Sequence, residues 1–132
     1  MKALSITEPY ATLIRDGVKR IETRSWKTKY RGDLLIHASS TKIPKEYRKN
    51  EDLMNLVGDR PLHFGQVVAK CKLIDCVPIT EELVKSLKRD EIVSGFYSEG
   101  RYAWILDDVE VVNEKQIVKG NLGLWSFDGF DS

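Results

Sequence analysis

Residues 2–39, KALSITEPYATLIRDGVKRIETRSWKTKYRGDLLIHAS, hold three strand signals and one helix signal in a single run. KALSI at 2–6 reads as an opening strand. Thr7 stands where a helix N-cap belongs, Glu8 and Pro9 suit a first turn, Tyr10, Leu13 and Ile14 form one apolar stripe, and Gly17 is a stop. The polar residues 23–26 form a second strand by position more than by propensity, and Gly32 marks a turn. In GDLLIHAS, Leu34, Ile36 and Ala38 alternate with Leu35, His37 and Ser39, as in a strand with one well-buried face.

Outward from that stretch, 44–57 reads as one helix or two short ones ending before Gly58, and 64–79 as the longest strand, ended by Pro78. TEELVKSLKRD at 80–90 reads as one helix capped by Thr80, with Glu81 and Glu82 at its positive end and Lys88 and Arg89 at its negative end. A loop at 95–100 leads into a strand at 101–112, and 119–127 closes the chain as a short strand or loop. Five or six strands interrupted by scattered helices are not a regular βα series. The expected class is therefore α+β: a small, mostly antiparallel β-barrel with helices at its ends, because closure removes exposed edges.

The 132 residues fit one domain, 1–132, with no repeat or low-complexity tract. Lys and Arg number 21 against 20 Asp and Glu, so net charge supplies no general attraction to a polyanion, and any such binding must be local. Lys19, Arg20, Arg24, Lys27, Lys29 and Arg31 crowd together with only Glu22 opposing them. Cys71 and Cys76, read on one strand, would lie roughly 16 Å apart, too far for a disulfide, and are expected as interior free thiols. Neither a leader-like apolar start nor a membrane-length apolar run is present, so the expected setting is cytoplasmic and off the membrane.

ETRSW at 22–26 is the chemically loaded part. In an extended chain Glu22, Arg24 and Trp26 share a face. Two readings stay open. They form an internal ion pair with a packed indole, or they form a cleft wall where Arg24 meets a phosphate or base edge and Trp26 offers a stacking plane. Lys27, Lys29 and Arg31, interleaved with Tyr30, would extend such a wall into a phosphate track. Lys19 is either a solvated helix-end cation or a site residue, and beside Glu22 it could exchange protons if desolvation lowered it. Ser5, Glu8 and Tyr10 could floor the cleft at a helix start. Lys119 and Asn121, between the glycines of KGNLGLW, could line it, while Trp125 reads as core. His37 reads as a structural, hydrogen-bonded histidine, and the cysteine and histidine spacing provides no metal ligand set.

The order of these motifs resembles the ASCH domain family, in the branch of the activating signal cointegrator. The matching residues are Ser5, Pro9, Tyr10 and Ala11; Gly17, Lys19, Glu22, Arg24, Ser25 and Trp26; Arg31, Gly32, Leu34 and Ile36; then LIDC at 73–76 and KGNLGLW at 119–125. The resemblance implies a PUA-like fold with a cleft beside the first helix, and a nucleic-acid-binding role in which RNA, another nucleic acid, a nucleoside or a nucleotide is the partner, with no cofactor. A protein partner is the further possibility. In amidohydrolases of this superfamily acting on N4-acetylcytidine the matching lysine works with a threonine three residues on; here that residue is Glu22. A hydrolase acting on a modified nucleoside or on RNA through Lys19 and Glu22 is the alternative reading.

Overall fold

A computed structural model of the chain describes residues 1–113 and 115–129. Its elements are β1 (Lys2–Ile6), α1 (Tyr10–Arg15), β2 (Ile21–Arg24), β3 (Gly32–Ala38), α2 (Lys45–Arg48), α3 (Glu51–Val57), β4 (Val67–Pro78), α4 (Glu81–Ser86), α5 (Arg89–Val93), β5 (Tyr102–Val111) and β6 (Leu124–Ser126). The six strands form one curled sheet in the order β2-β5-β4-β3-β1-β6. Four of its five pairings are antiparallel and β1 with β3 is parallel. The result is an α+β half-barrel of PUA-like type, with β2 and β6 at its edges.

The sheet's interior follows from its periodicity. Leu4, Ile6, Leu34, Ile36, Val68, Cys71, Leu73 and Trp104 close on Leu13 and Ile14 of α1 and on Leu53 and Val57 of α3. β3 is covered on its other face too, because Leu35 packs with Ala3, Val67 and Trp125 of β6. Its residues from Leu34 to Ala38 are consequently all buried. Each fully buried aliphatic side chain there stabilises the fold by about 1.5–3 kcal/mol. No helix among the described residues is long and apolar enough to cross a membrane.

Thr7 does not cap α1: Pro9 occupies the cap position and no side chain caps it. The Glu8 carboxylate instead turns inward and accepts from Thr12 N at 2.9 Å and Thr12 Oγ1 at 2.6 Å. β2 lies two residues earlier than expected, since pairing with Trp104 and Tyr102 of β5, rather than propensity, defines it. Residues 44–57 form the two short helices, with Asn50 accepting from Leu53 N at 3.1 Å to start the second.

Thr80 does cap α4, accepting from Leu83 N at 3.1 Å. The helix then stops, because Leu87 is extended (φ −92°, ψ 148°) and packs with Val84 and Leu83 against Ile21, Ile79 and Ala103. Lys88 therefore stands at the N-cap position of α5, with no capping side chain, instead of closing one long helix. Cys71 is buried as expected but Cys76 is only half-buried; both are free.

Candidate functional site

Beside α1 lies a hollow of about 270 Å³, lined among others by Tyr10, Lys19, Glu22, Arg24, Trp26 and Tyr47, with Phe96 and Arg101. β2 builds its wall. Glu22 and Arg24 sit two residues apart on one face, opposite Trp104 and Tyr102 of β5. Arg24 Nη1 donates to Glu22 Oε2 at 3.0 Å. Trp26 lies beyond the strand's end, yet it returns to the same hollow, edge-on to Trp104 (ring centroids 4.7 Å apart) and with the Arg24 guanidinium 5.8 Å from its own ring. Trp104 Nε1 donates to Trp26 O at 3.2 Å and fixes the bend.

Lys19 is an anchor in the floor. Its side chain is 1% exposed, and Nζ donates to Ile21 O and Ser94 O while standing 3.7 Å from Glu22 Oε1. Burial holds its ammonium below the ordinary lysine range, with Glu22 and then Glu91 acting against that. Ser94 and Glu91 belong to the α5 region. Glu91 accepts from Arg20 N at 2.8 Å and Ile21 N at 3.3 Å, which docks α5 on the start of β2.

The aromatic side of the hollow comes from segments that sequence patterning left as loop or surface helix. Tyr10 stands edge-on to Tyr47 and to Phe96, at 5.3 and 5.8 Å between ring centroids. Phe96 is 42% exposed at the mouth. It is held there by Thr23: Thr23 Oγ1 accepts from Phe96 N at 3.0 Å, and Thr23 O accepts from Arg101 Nη2 at 3.1 Å. Arg101 also covers the Phe96 ring at 5.7 Å. Burial raises the Tyr10 phenol, with smaller contributions from Tyr47 and Glu22, so its hydroxyl stays a neutral donor and acceptor. Across the hollow, Lys19, Arg24 and Arg101 face Glu22, among the described residues the one carboxylate of the lining.

A second, larger hollow of about 650 Å³ adjoins the first, because Thr7 and Arg24 line both. It takes in Ser5, His37, Ser39, Ser40 and Thr41, and the loop residues Lys119, Asn121 and Leu122. Ser5 and His37 are tied together at 2.9 Å between Oγ and Nδ1, while His37 Nε2 lies 2.7 Å from Val118 O. A carbonyl only accepts, so Nε2 carries the proton and Nδ1 accepts from the Ser5 hydroxyl. Trp125 Nε1 in turn donates to Ser5 Oγ at 3.1 Å. His37 is thus the structural histidine its pattern implies, and Trp125 is core.

The structure therefore brings together Tyr10, Lys19, Arg24 and Trp26 around the inner hollow, and Ser5, Lys119 and Asn121 around the outer one. Glu8 stands apart: it is fully buried, and its remaining acceptor capacity goes to His63 N at 2.8 Å. Lys27, Lys29, Tyr30 and Arg31 line neither hollow. The chain there crosses from the edge strand β2 to β3 in mid-sheet. Arg31 is spent on Thr28 O and Tyr30 O at 2.9 Å each and on Asp75 at 3.6 Å, and the Tyr30 hydroxyl donates to Asp33 O. Tyr47, Phe96 and Arg101 are missed by sequence reasoning: Tyr47 lies in the short helix α2, which has no buried residue to mark a face, and Phe96 and Arg101 sit in and at the end of the 95–100 loop, where an aromatic or a cation among Gly and Ser is the one signal.

The fold is thus a PUA-like half-barrel with a polar, aromatic-lined groove next to its first helix. The sequence model of the ASCH domain matches residues 4–116, and the chain belongs to that family. It is 28% identical over 127 residues to human Activating signal cointegrator 1 and 28% identical over 131 residues to the mouse protein of that name. Each match covers 95% of this chain and 22% of the relative, so the chain spans about a fifth of the length of the curated relatives it matches.

Proposed function

We propose that the chain is a nucleic-acid-binding module that takes RNA, or a modified nucleotide, in this groove. The observation that carries the reading is Arg24. Among the described residues its guanidinium gives one hydrogen bond to Glu22 and lies over Trp26, at the junction of two open hollows. Most of its five N–H donors remain for a guest, and Trp26, Tyr47 and Phe96 supply the π-faces against which an unstacked base rests. Membership of a family associated with RNA points the same way. The exposed Lys27 and Lys29, just past Trp26, would add attraction that salt screens.

Binding is favoured over hydrolysis by Lys19 and Glu22. A nucleophilic or basic lysine needs a free lone pair, and this one is engaged by two backbone carbonyls and a carboxylate in the interior. The test is fluorescence anisotropy with single-stranded RNA on the wild type and on Arg24→Ala. A stable Arg24→Ala protein that binds as tightly as the parent would defeat the proposal. Turnover of N4-acetylcytidine or RNA that vanished in a folded Lys19→Met variant would revive the hydrolytic alternative.

A further inference from the structure

The outer hollow shows what kind of ligand the groove is cut for. Resting on the binding role just proposed, we infer that it accepts at least two consecutive nucleotides of a single strand. One unstacked base enters the inner hollow, the adjoining sugar and phosphate lie in the outer one, and Leu122 stands against the next base.

The chemistry divides the two hollows. The inner one is aromatic and closed at its floor by the Lys19 anchor. The outer one is lined by hydroxyls of Ser39, Ser40 and Thr41, the Asn121 amide and the Lys119 and Arg24 cations, and among the described residues no carboxylate lines it. Neutral donors with cations and no acid are the groups that receive a phosphodiester. Arg24 and Thr7 border both spaces, so a chain can pass from one to the other without leaving contact.

The loop over the outer hollow is held firmly in place. His37 Nε2 binds Val118 O, and Gly120 presses on the Ser5–His37 pair so closely that a Cβ there would fall 2.3 Å from Ser5 Oγ and 2.8 Å from the His37 ring. Only glycine permits that approach. Three residues after Lys119 the same loop presents Leu122, 99% exposed, followed by Gly123 at φ +64°. A lone exposed leucine is ordinary. This one projects from an anchored loop at the lip of a cationic groove, where an apolar side chain can lie against a base, as wedging leucines do in other nucleic-acid-binding proteins. A duplex fits the arrangement poorly, since it must first unpair and unstack the base that enters.

The experiment measures anisotropy of a fluorescein-labelled, mixed-sequence RNA octamer, single-stranded and as its duplex, with the wild type, Leu122→Ser, Lys119→Ala and Arg24→Ala. Leu122 is fully exposed, so its variant should melt like the parent. The expected result is about a tenfold loss of single-strand affinity in Leu122→Ser and a similar loss in Lys119→Ala, with the duplex bound more weakly by the wild type. If Arg24→Ala weakens binding but both loop variants bind like the wild type, the two-hollow inference fails and the binding role stands. Duplex bound as tightly as single strand overturns the choice of a single strand. No binding of either RNA by the wild type removes the binding role and this inference together.

Discussion

Arg24 donates to Glu22 at 3.0 Å along one face of β2, and the same carboxylate stands 3.7 Å from the buried Lys19 ammonium. Glu22 is thus clamped between an anchored cation below and a half-buried one above. The clamp holds Arg24 at the junction of the two hollows while leaving most of its donors unspent.

Removing Arg24 therefore separates binding from folding. Arg24→Ala should lower affinity for single-stranded RNA about 10- to 100-fold, the equivalent of one charge-assisted contact, and reduce the salt dependence of binding. Because Glu22 keeps Lys19, melting should fall only modestly. Anisotropy titrations at two salt concentrations, with a thermal melt, check both parts.

Phe96 offers a cleaner reading of stacking. It is 42% exposed, and its backbone is held by bonds to Thr23 and Arg101 that do not depend on its ring. Phe96→Ala should cost roughly 1–3 kcal/mol of RNA binding, the range for one stacked base, with little change in melting temperature. Equal affinity in the two proteins would place the base elsewhere.

Lys19→Met should act on the fold. It strips the donor from Ile21 O and Ser94 O and one cation from Glu22, each within the interior, at a cost of about 2–4 kcal/mol. The sign of its pH dependence follows from burial. The folded lysine sits below the unfolded value, so between those two values the unfolded chain binds more protons, and this residue's contribution to stability rises with pH. Urea melts at neutral and mildly alkaline pH should show that slope in the wild type and its loss in the variant.

Cys71 gives the opposite sign. Burial pushes its thiol up to about 12, with Asp33 adding to that. The folded state then holds the proton longer than the unfolded one, and stability falls as pH rises from the ordinary thiol value toward about 12. Cys71→Val should lessen that alkaline loss. At pH 8, half-buried Cys76 should react with a thiol reagent well before Cys71, which a mass-resolved alkylation time course measures.

Glu8 was a plausible groove residue by position and is a structural one by contact. Glu8→Ala leaves Thr12 N and His63 N without their acceptor and should destabilise the protein by about 3 kcal/mol or more, while molecules that stay folded bind RNA normally.

Whatever depends on near neighbours along the chain could be read before the fold was known. Alternation in 32–38, the Thr80 helix start and the Gly17 stop are short-range steric and hydrogen-bonding choices, and they are legible residue by residue. So is the pairing of Glu22 with Arg24, because a two-residue step returns a strand to the same face. How those pieces meet is a matter of packing between distant segments. Sheet order places Ser94 and Glu91 against Lys19 and Ile21, and Phe96 against Thr23, across 70 or more residues of chain. It also spends Arg31 on loop carbonyls and Asp75, and buries Glu8 under His63. Such contacts come from packing a half-barrel around one core, where a side chain's partners are chosen by the curl and register of strands distant in sequence, and no local pattern encodes them.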